Sequence, residues 1–124
     1  MEFALTMPMF VAILFALLDY GWFFMNKTVA DVAVARGCRA GAIIDPLDGD
    51  PATTALVEMT GWSDFIVKDC EQHEWCLIRD IGTVPTRRLE CELNTPYQPL
   101  IGLFPTPSTV HAYNVTRLES QRPQ

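Results

Sequence analysis

From Phe3 to Met25 the sequence reads FALTMPMFVAILFALLDYGWFFM, a run of 23 residues in which Asp19 is the one charge. A helix of that length reaches about 34 Å, enough to cross the hydrocarbon core of a bilayer. The run closes on Tyr20, Trp22, Phe23 and Phe24, aromatic rings of the kind that settle at a headgroup interface. Such a chain is anchored by a single-pass helix, and whatever follows must fold in a way that helix can carry. A cleaved secretory signal fits less well. The start is acidic, the apolar run exceeds the roughly 7–15 residues of a signal core, and the small-x-small triplet Ala33-Val34-Ala35 comes late.

The expected division is a transmembrane and stalk helix over 1–44 and a small α+β domain over 45–124. About 80 residues make a small core, so covalent staples or partners are expected to support it. Glu2, Asp19 and Asp31 are balanced by Lys27, Arg36 and Arg39, so the formal net charge of −6 falls on residues 45–124. Nucleic acid, whose phosphates an acidic domain repels, is excluded as a partner. Cys38, Cys70, Cys76 and Cys91 all follow the apolar run. An even count in a small domain behind a membrane segment points to two disulfides in an oxidising, extracytoplasmic compartment. The basic residues that follow the span argue for the opposite orientation; the cysteines are given more weight. Of the three pairings, Cys70–Cys76 closing a hairpin with Cys38–Cys91 tying helix to sheet is favoured. The alternative is a single-pass protein whose head binds zinc or another ligand, with His73 joining the cysteines. The spacing C-x2-H-x2-C is not a usual structural zinc knuckle, so no metal and no cofactor are expected.

Residues 26–42 lack proline and are rich in alanine, so the first helix is expected to continue to about Ala42. Val29, Ala33, Arg36 and Ala40 form one stripe, and Ala30, Val34, Gly37 and Gly41 the next. A face of small residues lets another backbone come close, and two partners suit it equally, the chain's own domain or a helix of another subunit. Asp45 to Pro51 breaks the helix, and Asp50 with Pro51 starts a second one, expected to run to about Thr60 with Ala55, Leu56 and Met59 inward and to stop at Gly61. Strands are expected at 63–70 and 75–81 around the polar link Glu71–Glu74. Another is expected at 87–93, where Leu89, Cys91 and Leu93 alternate with Arg88, Glu90 and Glu92, and a last at 109–118 after a proline-rich connection. The fold class is α+β, a long helix on a small antiparallel sheet.

Chemistry is harder to find. His73 and His111 have no Ser or Cys nucleophile in a recognisable context, and no glycine loop could cradle a phosphate. The expectation is a protein that is not an enzyme. Asp19 is the residue that most needs an explanation, because a carboxylate in a span is costly unless paired or close enough to the interface for hydration.

Three elements of the N-terminal third stand in fixed spacing: Glu2-Phe3-Ala4-Leu5 with Pro8, Asp19-Tyr20-Gly21, and Gly37-Cys38-Arg39. In them this third resembles the TadE-like family, pseudopilins of the Tad (tight adherence) pilus machinery, matching its E-F-A-L-x-x-P signature, its acidic-aromatic-Gly triplet and its G-A-R-type element in register without a gap. Pro96 to Leu100 and Arg117-Leu118-Glu119 are similar to the family's C-terminal half. The resemblance implies a pilin-like fold and a minor pilin or assembly protein in the cytoplasmic membrane, with its head outside, that can be incorporated in the pilus. Its implied partners are other pilin or pseudopilin subunits, Tad inner-membrane assembly proteins, prepilin peptidase and membrane lipid. In such proteins the peptidase removes a basic leader ending in Gly, and the signature Glu pairs with the N-terminal amine of a neighbouring subunit. Glu2 takes that place here, with Asp19 the second membrane carboxylate. Only Met1 precedes Glu2 in this sequence, which leaves two readings, a start assigned too far downstream or a member that is not processed. Cys38 departs from the family element and implies a bridge of this member's own.

Overall fold

The chain changes from helix to sheet where its apolar period changes from that of a helix to strict alternation. In a computed structural model, which describes residues 2–45, 47–63 and 75–119, the order is α1 (Glu2–Ile43), α2 (Pro51–Ser63), β1 (Cys76–Ile81), β2 (Arg88–Pro96) and β3 (Thr109–Arg117). The three strands form one antiparallel sheet in the order β1-β2-β3. One face of that sheet packs on the second half of α1, and α2 crosses beside it. The α+β class read from the sequence is the one observed.

Helix α1 is continuous for 42 residues and contains Pro8, which a membrane helix tolerates. It ends where Asp45 offers alternative bonds: its side chain accepts from the Leu47 N–H at 3.2 Å and its carbonyl from the Asp48 N–H at 2.8 Å. Five residues on, Asp50 caps α2. Its Oδ2 accepts from the backbone N–H of Thr53 at 3.2 Å and from the Thr53 hydroxyl at 2.8 Å. The Thr53 hydroxyl, more than any other group, holds the Asp50 carboxyl below its ordinary value. The cap's contribution is therefore present above the unfolded carboxyl's pKa and is lost as pH falls through the lower folded one.

Two boundaries differ from expectation by more than one residue. Helix α2 runs through Gly61 to Ser63, because one glycine near a helix end costs only about 1 kcal/mol and does not by itself stop it. Ser63, expected to open a strand, is thus helical. The rest of that strand and the link Glu71–Glu74, with Cys70 and His73, lie outside the described residues. Strand β2 extends to Pro96, three residues past the expected end, as Thr95 continues the buried alternation of Leu89, Cys91 and Leu93. Its partner β3 matches it in register, with Ala112 opposite Leu93 and Val110 opposite Thr95, so that all four side chains face the helix side.

The core joins Ala30, Val34 and Cys38 of α1 to Ala55 and Met59 of α2 and to Leu89, Leu93, Val110 and Leu118 of the sheet side. The small-residue face is what permits this. A Cβ on Gly41 would lie 2.5 Å from the Pro51 carbonyl oxygen and 2.8 Å from the Ala55 Cβ, and one on Gly37 would lie 2.8 Å from the Ala55 carbonyl oxygen. Of the two partners that suited this face, the chain's own domain is the one that occupies it. The residues that follow β3 close the contact, since the Glu119 N–H donates to the Ala42 carbonyl at 2.9 Å and satisfies an acceptor left over at the end of α1.

The backbone of α2 cannot retreat from Gly41 without uncovering the sheet. Gly41→Val is expected to destabilise the head by about 3 kcal/mol, read as a lower urea midpoint for the full-length protein in detergent; an unchanged midpoint would show that α2 does not pack there.

Candidate functional site

Helix α1 has two halves with opposite surroundings. Among the described side chains from Phe3 to Leu18, all the apolar ones but the half-buried Ala16 are exposed, with Phe3, Met9, Phe10 and Leu17 at 59–74 %. It is long and apolar enough to cross a membrane, and only 6 % of its most apolar window is buried within the chain. That low burial separates it from the core helix of a soluble protein, which passes the same test of length and composition. From Ala30 onward the inward face is closed, with Ala30, Ala33, Val34 and Cys38 at 0 %.

Asp19 marks the change. It is wholly buried, covered by the segment that joins β2 to β3. One oxygen, Oδ1, accepts from the Ile101 backbone N–H at 2.8 Å, and its main-chain carbonyl accepts from the Tyr97 hydroxyl at 3.3 Å. The other, Oδ2, is buried without a partner. Burial first, and the Asp19 carboxylate second, hold the Tyr97 phenol above its ordinary value, so it remains an O–H donor. The Tyr20 hydroxyl donates to the Pro105 carbonyl at 3.3 Å, and the Phe23 ring meets Tyr97 edge to face at 5.2 Å. Asp19 is therefore enclosed by the chain itself: one oxygen of its carboxyl group is met by a backbone donor of the chain's own head and the other by none.

The other motif residues separate by environment. Glu2 opens α1, while its side chain and those of Ala4 and Leu5 lie outside the described residues. Phe3 is exposed at the same end, and Pro8 falls within the helix. Gly21 is exposed, and a Cβ there would meet nothing within 4 Å. Gly37 is spent on α2, as described above, and Arg39 is exposed. Asp19, Tyr20 and Gly37 thus serve the chain's own packing, whereas Phe3, Gly21 and Arg39 lie on open surface.

Cys38 and Cys91 form a disulfide between α1 and β2, with Cα atoms 5.8 Å apart and both residues at 0 % exposure. Cys76 is disulfide-bonded as well; Cys70, its expected partner, lies outside the described residues. Sulfurs in disulfides cannot act as thiolate ligands, so the zinc alternative loses Cys38, Cys76 and Cys91 as donors. Among the described residues no group of three His, Cys, Asp or Glu is placed to hold a metal. His111 instead meets Glu92 at 3.0 Å on the outer face of the sheet.

Sequence reasoning missed Tyr97, Ile101 and Pro105 as partners of the helix. Pro96 to Leu100 had stood out only for its similarity to a family element; the return of that segment to Asp19 is a tertiary event that no local spacing encodes.

The family model of TadE-like proteins matches residues 1–39. No curated protein and no solved structure matches the chain. The match therefore covers the exposed half of α1, Asp19 and Gly37, and leaves α2, the sheet and the segment that meets Asp19 outside it.

Removing the acceptor at position 19 should free the Ile101 amide. Asp19→Leu is expected to speed its hydrogen exchange by about 10- to 100-fold, the worth of a hydrogen bond to a charged group. Asp19→Asn, which keeps an acceptor oxygen, should fall between that variant and wild type. Equal exchange in all three would show that the contact does not form.

Proposed function

We propose that this protein is a TadE-like pseudopilin, or minor pilin, that acts in the biogenesis of a Tad-type pilus through contacts of its helix and head. The observation that carries the reading is the apolar half-helix Phe3–Leu18, whose described large side chains are exposed, lying inside the matched segment 1–39. Such a surface has two stable surroundings, lipid and other apolar helices. A pilus subunit needs both in turn, as it waits in the cytoplasmic membrane and is then taken into, or assists, the helix bundle of a fibre. The open surface at Gly21 lets a second helix approach closely on that side.

Glu2 is the residue assigned to subunit pairing. A carboxylate at the edge of hydrocarbon is held best by a cation that also has to be buried, and the N-terminal amine of a neighbouring subunit, freed by prepilin peptidase, is such a group. Asp19 has a different role, since its carboxylate is engaged by Ile101. The head is placed outside the cytoplasm, a reading supported by the Cys38–Cys91 disulfide, which persists in oxidising compartments. The partners are other pilin or pseudopilin subunits and Tad inner-membrane proteins, and the protein acts through these contacts rather than through catalysis.

Deletion of the gene in its native host is expected to abolish Tad pili, counted by electron microscopy, and the wild-type gene to restore them. A Glu2→Ala chain, present in the membrane at wild-type level, should fail to restore them. Normal piliation in the deletion strain would overturn the proposal.

A further inference from the structure

Between Asn94 and Val110 there is no charged side chain. Within this stretch, on the segment joining β2 to β3, Leu100, Ile101 and Leu103 are exposed at 58 %, 37 % and 64 %. Three aliphatic side chains so close together on a loop tip form an apolar patch that water does not favour.

The height of this loop on α1 is set by the contacts of Tyr97 and Ile101 with Asp19 and of Pro105 with Tyr20. The next charge along α1 is Lys27, eight residues on, about 12 Å higher at 1.5 Å per residue. Phe24 and Met25 lie between them and are exposed at 63 % and 46 %. Phe3–Leu18 alone is about 24 Å long, short of the roughly 30 Å hydrocarbon core it must cross. To fill the core, the helix has to seat residues beyond Asp19 in the membrane, and the loop fastened to Asp19 descends with them.

We propose that this loop is immersed in the lipid interface of the leaflet on the head's side, with Leu100, Ile101 and Leu103 against the acyl chains. The head is then docked on the bilayer at a second point beside its helix. Irregular backbone within hydrocarbon requires that its polar groups be satisfied, and part of this loop's backbone is provided for in that way, the rest lying at the hydrated level of the interface. Pro96, Pro99, Pro105 and Pro107 contribute no N–H. The Tyr97 N–H donates to the Ser108 carbonyl at 2.8 Å and the Ile101 N–H to Asp19, while the Pro105 carbonyl accepts from Tyr20. With no charge on the loop, a zwitterionic phosphatidylcholine surface is sufficient; anionic lipid is not needed.

The proposal rests on the membrane-spanning reading of α1 and not on a role in piliation, and one experiment separates the two dependencies. The full-length protein, 15N-labelled, is placed in phosphatidylcholine nanodiscs and titrated with 5-doxyl phosphatidylcholine or with a soluble gadolinium chelate. The amides of Leu100, Gly102 and Leu103 are expected to be broadened severalfold more by the doxyl lipid than by the chelate, like those of Phe10 and Leu14 and unlike that of Glu90. In Leu103→Asp the loop amides should become sensitive to the chelate while Phe10 and Leu14 stay protected. Loop amides broadened by the chelate alone, with Phe10 and Leu14 still in lipid, would overturn the loop's immersion and leave the span standing. Broadening by the chelate at all of these positions would overturn both.

Discussion

Everything in the head depends on the contact between the inner face of α1, from Ala30 to Ala42, and the sheet and short helix it covers. The face is made of small residues, so that α2 can lie within a methyl group's width of Gly41, and it is fixed to β2 by the Cys38–Cys91 disulfide. Closing 53 residues of sequence in this way restricts the unfolded chain by about 4 kcal/mol in the loop-entropy account, a large share of the stability of so small a domain. Leu89, Leu93, Val110 and Ala112 find their cover on this side. The membrane helix is thus also the wall of the head's core, and the two parts fold as one object.

A single rod that serves two solvents needs a defined point of change. Before it, the described side chains are mostly apolar and exposed; after it comes an aromatic turn, Tyr20 to Phe24, and from Ala30 onward a face of small buried residues. Asp19 stands at that point, and the protein answers a buried carboxylate with the backbone of its own β2–β3 connection rather than with a cation. This choice leaves the opposite surface of the helix, at Gly21, Phe24 and Met25, uncovered by the head. It also leaves the outer face of the sheet, with Glu90, Glu92, His111 and Tyr113, as a polar surface held by its own cross-strand bonds.

Much of this is legible in the residues, and what is not has a physical reason. The strict alternation around Cys91 announces a sheet with one wet face, and the Asp50-Pro51 pair announces the start of α2. The small-residue stripe on α1 is legible as a close-packing face, but its partner is not, since glycine and alanine suit a helix of the same chain as well as one from a neighbour. Gly61 reads as a stop and is not one, because a glycine only weakens a helix end while the preceding Met59 remains packed in the core. Asp19 shows the limit most clearly. Its sequence position makes it conspicuous, yet the Ile101 amide that binds it lies 82 residues away and is a backbone group with no signature of its own.

The central claim, that the second half of the membrane helix is a structural part of the head, is tested most directly by mapping disulfides in the unreduced full-length protein. Proteolysis followed by mass spectrometry should yield the peptide containing Cys38 joined to the one containing Cys91. Free thiols at those two positions, or Cys38 joined to Cys70 or Cys76, would place the helix elsewhere and contradict the account.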